Sequence, residues 1–177
     1  MLTEIRWDQF PYPSQRAPVF ARNVVATSQP LAVQAGIHML RQGGNAVDAA
    51  IAAAAALPVV EPCSNGLGSD AFAIVWDGES LHGLNASGRS PSAWRPERFA
   101  GAREITIGWD SITVPGCVGA WAELSRRFGR LEFPRLLEPA IDYAMNGFAV
   151  SPGVHTRWVN AVDTYREFEG FRQVFCP

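Results

Sequence analysis

The chain has 177 residues, 47% hydrophobic and 18% charged, enough for one domain with a buried core and unlike a disordered composition. A formal net charge of −2 offers no basic footprint for nucleic acid or an acidic membrane surface. All fifteen basic residues are arginine. That excludes a lysine Schiff base or P-loop lysine and leaves arginine for anion recognition, although a GC-rich genome gives the same bias.

Cys63, Cys117 and Cys176 are odd in number and share no metal-ligand spacing, so a disulfide framework is not expected and a reducing compartment fits. The first residues carry charges through any apolar stretch and show no cleavage site. The longest apolar run, 46–60, contains Asp48 and is too short to span a bilayer. These features together read as a soluble, cytoplasmic protein without a membrane or nucleic-acid partner.

In chain order, residues 1–22 hold Pro11, Pro13 and Pro18 among aromatics and arginines and are expected to form an extended arm; 23–177 form the body. Residues 24–27 read as a short buried strand. Ser28 is expected to cap a helix with Pro30 in its first turn and Val33, Ile37 and Leu40 on its buried face, ended by Gly43-Gly44. Asn45 and Asp48 have capping-box spacing, with Asp in place of Glu. Every residue from 49 to 56 is alanine except Ile51, which predicts a helix buried all round, stopped by Pro58.

Residues 72–76 and 81–84 alternate like two strands joined through Asp77-Gly78, a hairpin. Residues 105–107 and 112–114 are short strand candidates. Cys117, Trp121, Leu124 and Phe128 follow helical spacing up to Gly129, and 139–146 form another helix ended by Gly147. Ser151-Pro152 opens a last helix whose stripe of Val154, Trp158, Ala161, Tyr165 and Phe168 needs a partner surface. The uncapped end at Phe175-Cys-Pro suggests truncation.

Gly66-Leu-Gly68-Ser-Asp-Ala71 matches a dinucleotide fingerprint as a string, but a strand follows it where a helix N-terminus is required, so that reading is dropped. A nucleophilic Cys63 would need a base, and neither His38, placed mid-helix among core contacts, nor His82, inside a strand, is set for it. Three scattered histidines give no zinc pattern. Asp48 is better explained as a helix cap, and Glu61 as a structural hydrogen-bond partner before a chemical one. Arg89, in the glycine-bearing loop Asn85-Ala-Ser-Gly-Arg89-Ser-Pro91, can present a guanidinium fork to a carboxylate; a plain surface arginine is the competing reading.

Several motifs, in order, resemble the γ-glutamyltranspeptidase family over about residues 23–155. They are Ala26-Thr-Ser-Gln-Pro-Leu-Ala, Gly43-Gly-Asn-Ala-Val-Asp-Ala-Ala50, Glu61-Pro-Cys-Ser-Asn-Gly-Leu-Gly68, Arg89-Ser-Pro91, Val114-Pro-Gly, Leu137-Glu-Pro-Ala-Ile and Gly147-Phe. The resemblance implies an α+β, four-layer αββα N-terminal-nucleophile hydrolase fold, incomplete over this length. It implies a self-cleaving proenzyme whose small subunit begins with the threonine nucleophile, with no cofactor or metal. The chain would then be large-subunit sequence without a catalytic residue of its own. Arg89 matches the arginine that binds the substrate carboxylate.

Two departures leave the acyl group open: Ser69-Asp70 replaces family glycines, and no glutamate follows Arg89. A γ-glutamyl amide is the first expectation, and an oxamate-type amidohydrolase or an acylase of another small carboxylate amide is the alternative. A non-catalytic module reusing the fold segment is the third. Exposed faces of the alanine helix and of the 154–168 stripe are expected to make the isolated chain associate or fold loosely.

Overall fold

The computed structural model describes residues 19–101 and 105–176. Of the arm expected over 1–22, only 19–22 fall among them, and all four are exposed. Six α-helices and one hairpin follow: α1 (Pro30–Arg41), α2 (Ala46–Val60), β1 (Ala71–Trp76), β2 (Leu81–Ala86), α3 (Cys117–Phe128), α4 (Phe133–Asn146), α5 (Pro152–Tyr165) and α6 (Glu169–Phe175).

The alanine helix α2 is the centre of the molecule, packed by α1 and α4 and, less extensively, α3. Ile51, Ala52, Ala55 and Ala56 are buried together with Ala32 and Met39 of α1 and Leu136 of α4. Small side chains are what permit this closeness: a Cβ on Gly36 would lie 2.9 Å from the Ala49 carbonyl oxygen. The same closeness turns α1 from the expected face. Ala32, Ala35, Gly36 and Met39 are buried, whereas Val33, Ile37 and Leu40 are only partly covered. Because α2 is sheathed within the chain, it does not present the apolar surface expected of it.

Several expected boundaries move for local reasons. Gln29 rather than Ser28 caps α1, its Oε1 accepting from Leu31 N at 2.5 Å, while the Ser28 hydroxyl donates to Glu61 Oε2. α2 runs two residues past Pro58 to a fully buried Val60. A proline late in a helix costs one N–H, and burial of the last turn offsets it. α4 begins at Phe133, six residues before Pro139, because buried Leu136 fixes its first turns against the core. The expected starts of α3 and α5 and the ends at Gly129 and Gly147 are as observed.

Three strand expectations are corrected. Residues 24–27 are extended but have no ladder. Residues 105–107 and 112–114 flank a short 3-10 turn, Trp109–Ser111, and carry no ladder either. Gly108 at φ 91° bends the chain there, and Val114 N bonds to Arg89 O instead of to a strand. The hairpin is observed, antiparallel from Ala71↔Ala86 to Trp76↔Leu81. Its inner residues Ala71, Ala73, Val75 and Leu84 pack on the helical core, and Phe72, Ile74, Trp76 and Leu81 face outward. The 154–168 stripe finds its partner in α6: Trp158 stacks edge-on against Phe175, and Tyr165 lies beside Phe171.

Candidate functional site

The loop that leaves β2 is tied down by backbone. Val114 N donates to Arg89 O at 2.9 Å, and the Thr113 hydroxyl donates to Ser87 O at 3.1 Å. Two glycines allow this approach. Gly88 takes φ 79°, and a Cβ there would sit 2.1 Å from the Val114 carbonyl oxygen; a Cβ on Gly116 would sit 2.3 Å from the Ala86 oxygen. The sequence supplies glycine at both points where two strands of loop cross.

The glycine loop before β1 is fixed to the same place. Ser69 O accepts from Gly116 N at 3.2 Å and from Cys117 N at 3.0 Å, and the Ser69 hydroxyl donates to Gly66 O at 2.6 Å. The loop feeds β1, not a helix, so no helix N-terminus faces its glycines. Residues 61–70, 86–91 and 113–117 thus meet at the open end of the hairpin.

Arg89 stands on that junction. It is exposed, and among the described residues its guanidinium has no hydrogen-bond or ion-pair partner. Its backbone is held while its charge is uncommitted, so an incoming carboxylate would not have to displace an internal partner. Asp70, one residue before β1, is also exposed and without an ion-pair partner among the described residues.

The other candidates resolve into structural roles. Asp48 is fully buried and accepts from Asn45 N at 2.8 Å, from Arg130 N at 3.1 Å and from Leu131 N at 3.4 Å. Asn45 completes the box and donates to Phe128 O at 2.6 Å. The Gly-Gly-Asn-Ala-Val-Asp motif is therefore a clasp that holds the α3–α4 connection. Glu61 takes the Ser28 hydroxyl and lies 3.9 Å from the Arg157 guanidinium, which itself donates to the Ser64 hydroxyl at 3.0 Å.

Cys63 is exposed and has Arg157 and Ser64 as neighbours, each 3.9 Å from its sulfur, and no histidine. Buried Cys117 is pushed up by desolvation, which outweighs the Ser69 hydroxyl's opposite effect, so its thiol is poorly suited to attack. His38 is not among core contacts as expected. It is exposed beside Gln42. His82 bonds Asp77 at 2.7 Å and lies against the Phe128 ring. All three cysteines are unpaired, and no group of three or more metal-ligating side chains occurs among the described residues. No described helix is long and apolar enough to cross a membrane.

Comparison with known proteins gives these features their context. The gamma-glutamyltranspeptidase family model matches residues 32–177, and the chain belongs to that family. Its α+β fold is part of an N-terminal-nucleophile hydrolase fold. It superposes on cephalosporin acylase from Bacillus halodurans with a TM-score of 0.81 at 48% identity, covering 93% of this chain and 32% of that one. It also matches a gamma-glutamyltranspeptidase from Pseudomonas nitroreducens complexed with L-DON, with a TM-score of 0.79 at 28% identity, covering 89% and 49%.

Among curated relatives, the glutathione hydrolase-like YwrD proenzyme of Bacillus subtilis is 41% identical over 140 residues, 77% of this chain and 27% of its own length. The oxamate amidohydrolase proenzyme of Klebsiella pneumoniae is 36% identical over 154 residues, 82% of this chain and 29% of its own. The chain spans between a quarter and a third of the length of these two relatives.

Proposed function

We propose that this chain is part of the large-subunit region of a γ-glutamyltranspeptidase-like proenzyme that hydrolyses or transfers γ-glutamyl amides. In this reading the small subunit, released from the same polypeptide, begins with a threonine whose hydroxyl attacks the amide carbonyl. Its α-amino group takes the hydroxyl proton and returns one to the leaving amine, giving an acyl-enzyme that water or an amino acceptor resolves. Arg89 holds the substrate carboxylate. The observation that carries this reading is a guanidinium with a tethered backbone and no internal partner, in a chain of this family.

A second reading, hydrolysis of another small carboxylate amide, is favoured by the 48% identity to a cephalosporin acylase and the 36% identity to an oxamate amidohydrolase. Arg89 serves both readings. The test is turnover of a γ-glutamyl anilide and of oxamate by the complete polypeptide beside the 177-residue chain alone. The complete polypeptide is expected to cleave itself and act on the γ-glutamyl compound, and the isolated chain to be inert. Turnover by the isolated chain would overturn the assignment of the nucleophile to another segment; oxamate turnover alone would select the second reading.

A further inference from the structure

Asp70 and Arg89 carry opposite charges at one end of the hairpin and do not neutralise each other. The ladder ends at Ala71↔Ala86, so Asp70 is the next residue outward on one strand and Arg89 lies three residues past the end of the other. Both are anchored to a single short segment. Val114 N holds the carbonyl of Arg89, and Gly116 N holds the carbonyl of Ser69, the residue before Asp70. Both side chains are exposed, and neither has an ion-pair partner among the described residues.

An acid and a base that shared only a surface would be free to drift together. Here the two crossings that need Gly88 and Gly116 set the spacing of their backbones.

We infer that Asp70 and Arg89 together read the two charges of an α-amino acid head on the acyl group, the carboxylate by Arg89 and the ammonium by Asp70. The inference rests on the amide-hydrolase reading above and narrows it. An acyl group with a lone carboxylate would satisfy Arg89 but leave Asp70 a like charge nearby, which disfavours binding. Amides of γ-glutamyl type, with carboxylate and ammonium on one carbon, fit the pair. Glutaryl and oxamate amides do not.

The test compares γ-glutamyl-p-nitroanilide with glutaryl-p-nitroanilide, which differ only in the α-ammonium, using the complete polypeptide. The readout is the ratio of the two kcat/KM values, in which folding and processing yields cancel. The wild type should favour the γ-glutamyl compound, and Asp70→Asn should lower that ratio about tenfold, the equivalent of roughly 1.4 kcal/mol. Asp70→Glu should keep part of the preference, since it keeps the charge. An active Asp70→Asn enzyme with an unmoved ratio overturns the role of Asp70, as does a wild type that prefers the glutaryl compound. A wild type inert to both anilides overturns the underlying γ-glutamyl reading and this inference with it.

Discussion

Asp48 is a fully buried carboxylate taken up by backbone N–H groups from two places, Asn45 in its own helix start and Arg130 and Leu131 after α3. Removing it strands these donors without water. Asp48→Ala should therefore cost roughly 3 kcal/mol, since each buried unsatisfied donor costs about 1–3 kcal/mol. Urea unfolding of the chain with matched slopes would measure it. A loss below about 0.5 kcal/mol, the scale of an ordinary surface change, would mean that the clasp carries no energy.

The local half of this arrangement was legible in the sequence, because a capping box is a spacing of three. The other half was not, because nothing in Arg130-Leu131 marks it as a partner 82 residues away. Arg89 divides the same way. A glycine-bearing loop announces an exposed arginine, but its tether to Val114 and the crossings at Gly88 and Gly116 exist only once the chain has folded.

At the scale of elements, the hairpin stands on its turn. Asp77 Oδ1 accepts from Glu79 N and Ser80 N, both at 2.8 Å, and its other oxygen meets His82. These bonds, Ser80's first and His82's next, hold the Asp77 carboxyl well below its ordinary value of 3.8. A lowered folded-state pKa stabilises above the unfolded value and loses that contribution as pH falls through the folded one. The Tm advantage of the wild type over Asp77→Asn should thus be constant above about pH 5 and shrink steadily below about pH 4. An advantage that grows on acidification would contradict the assignment.

Alternation and Asp77-Gly78 made this hairpin readable from sequence. The same alternation misled at 24–27, 105–107 and 112–114, where runs of three or four apolar residues lack a ladder partner. The buried face of α1 was misplaced because contact with a helix of alanines is made by Ala32, Ala35 and Gly36, which a search for large side chains passes over.

Across the whole molecule, the apolar surface lies on the outer side of the hairpin. Ile74 is 77% exposed and Phe72 64%, with Trp76 and Leu81 beside them. Such a patch drives association. The isolated chain should elute as more than a monomer or bind a hydrophobic dye, and Ile74→Lys should reduce both; an unmodified chain that is monomeric and dye-silent would show that this face is not adhesive.

The central claim, that Arg89 holds the substrate carboxylate while taking no part in the threonine chemistry, is tested most directly by Arg89→Ala in the complete polypeptide. The measurement is kcat/KM for a carboxylate-bearing amide beside the extent of self-cleavage on a gel. Truncating one partner of a desolvated charged pair costs about 2–5 kcal/mol, so kcat/KM should fall roughly 30- to several-thousand-fold. Arg89→Lys should recover only part, for want of the planar two-donor fork. Cleavage should proceed as in the wild type. A variant that cleaves itself and keeps near wild-type kcat/KM would make Arg89 a surface arginine and contradict the account.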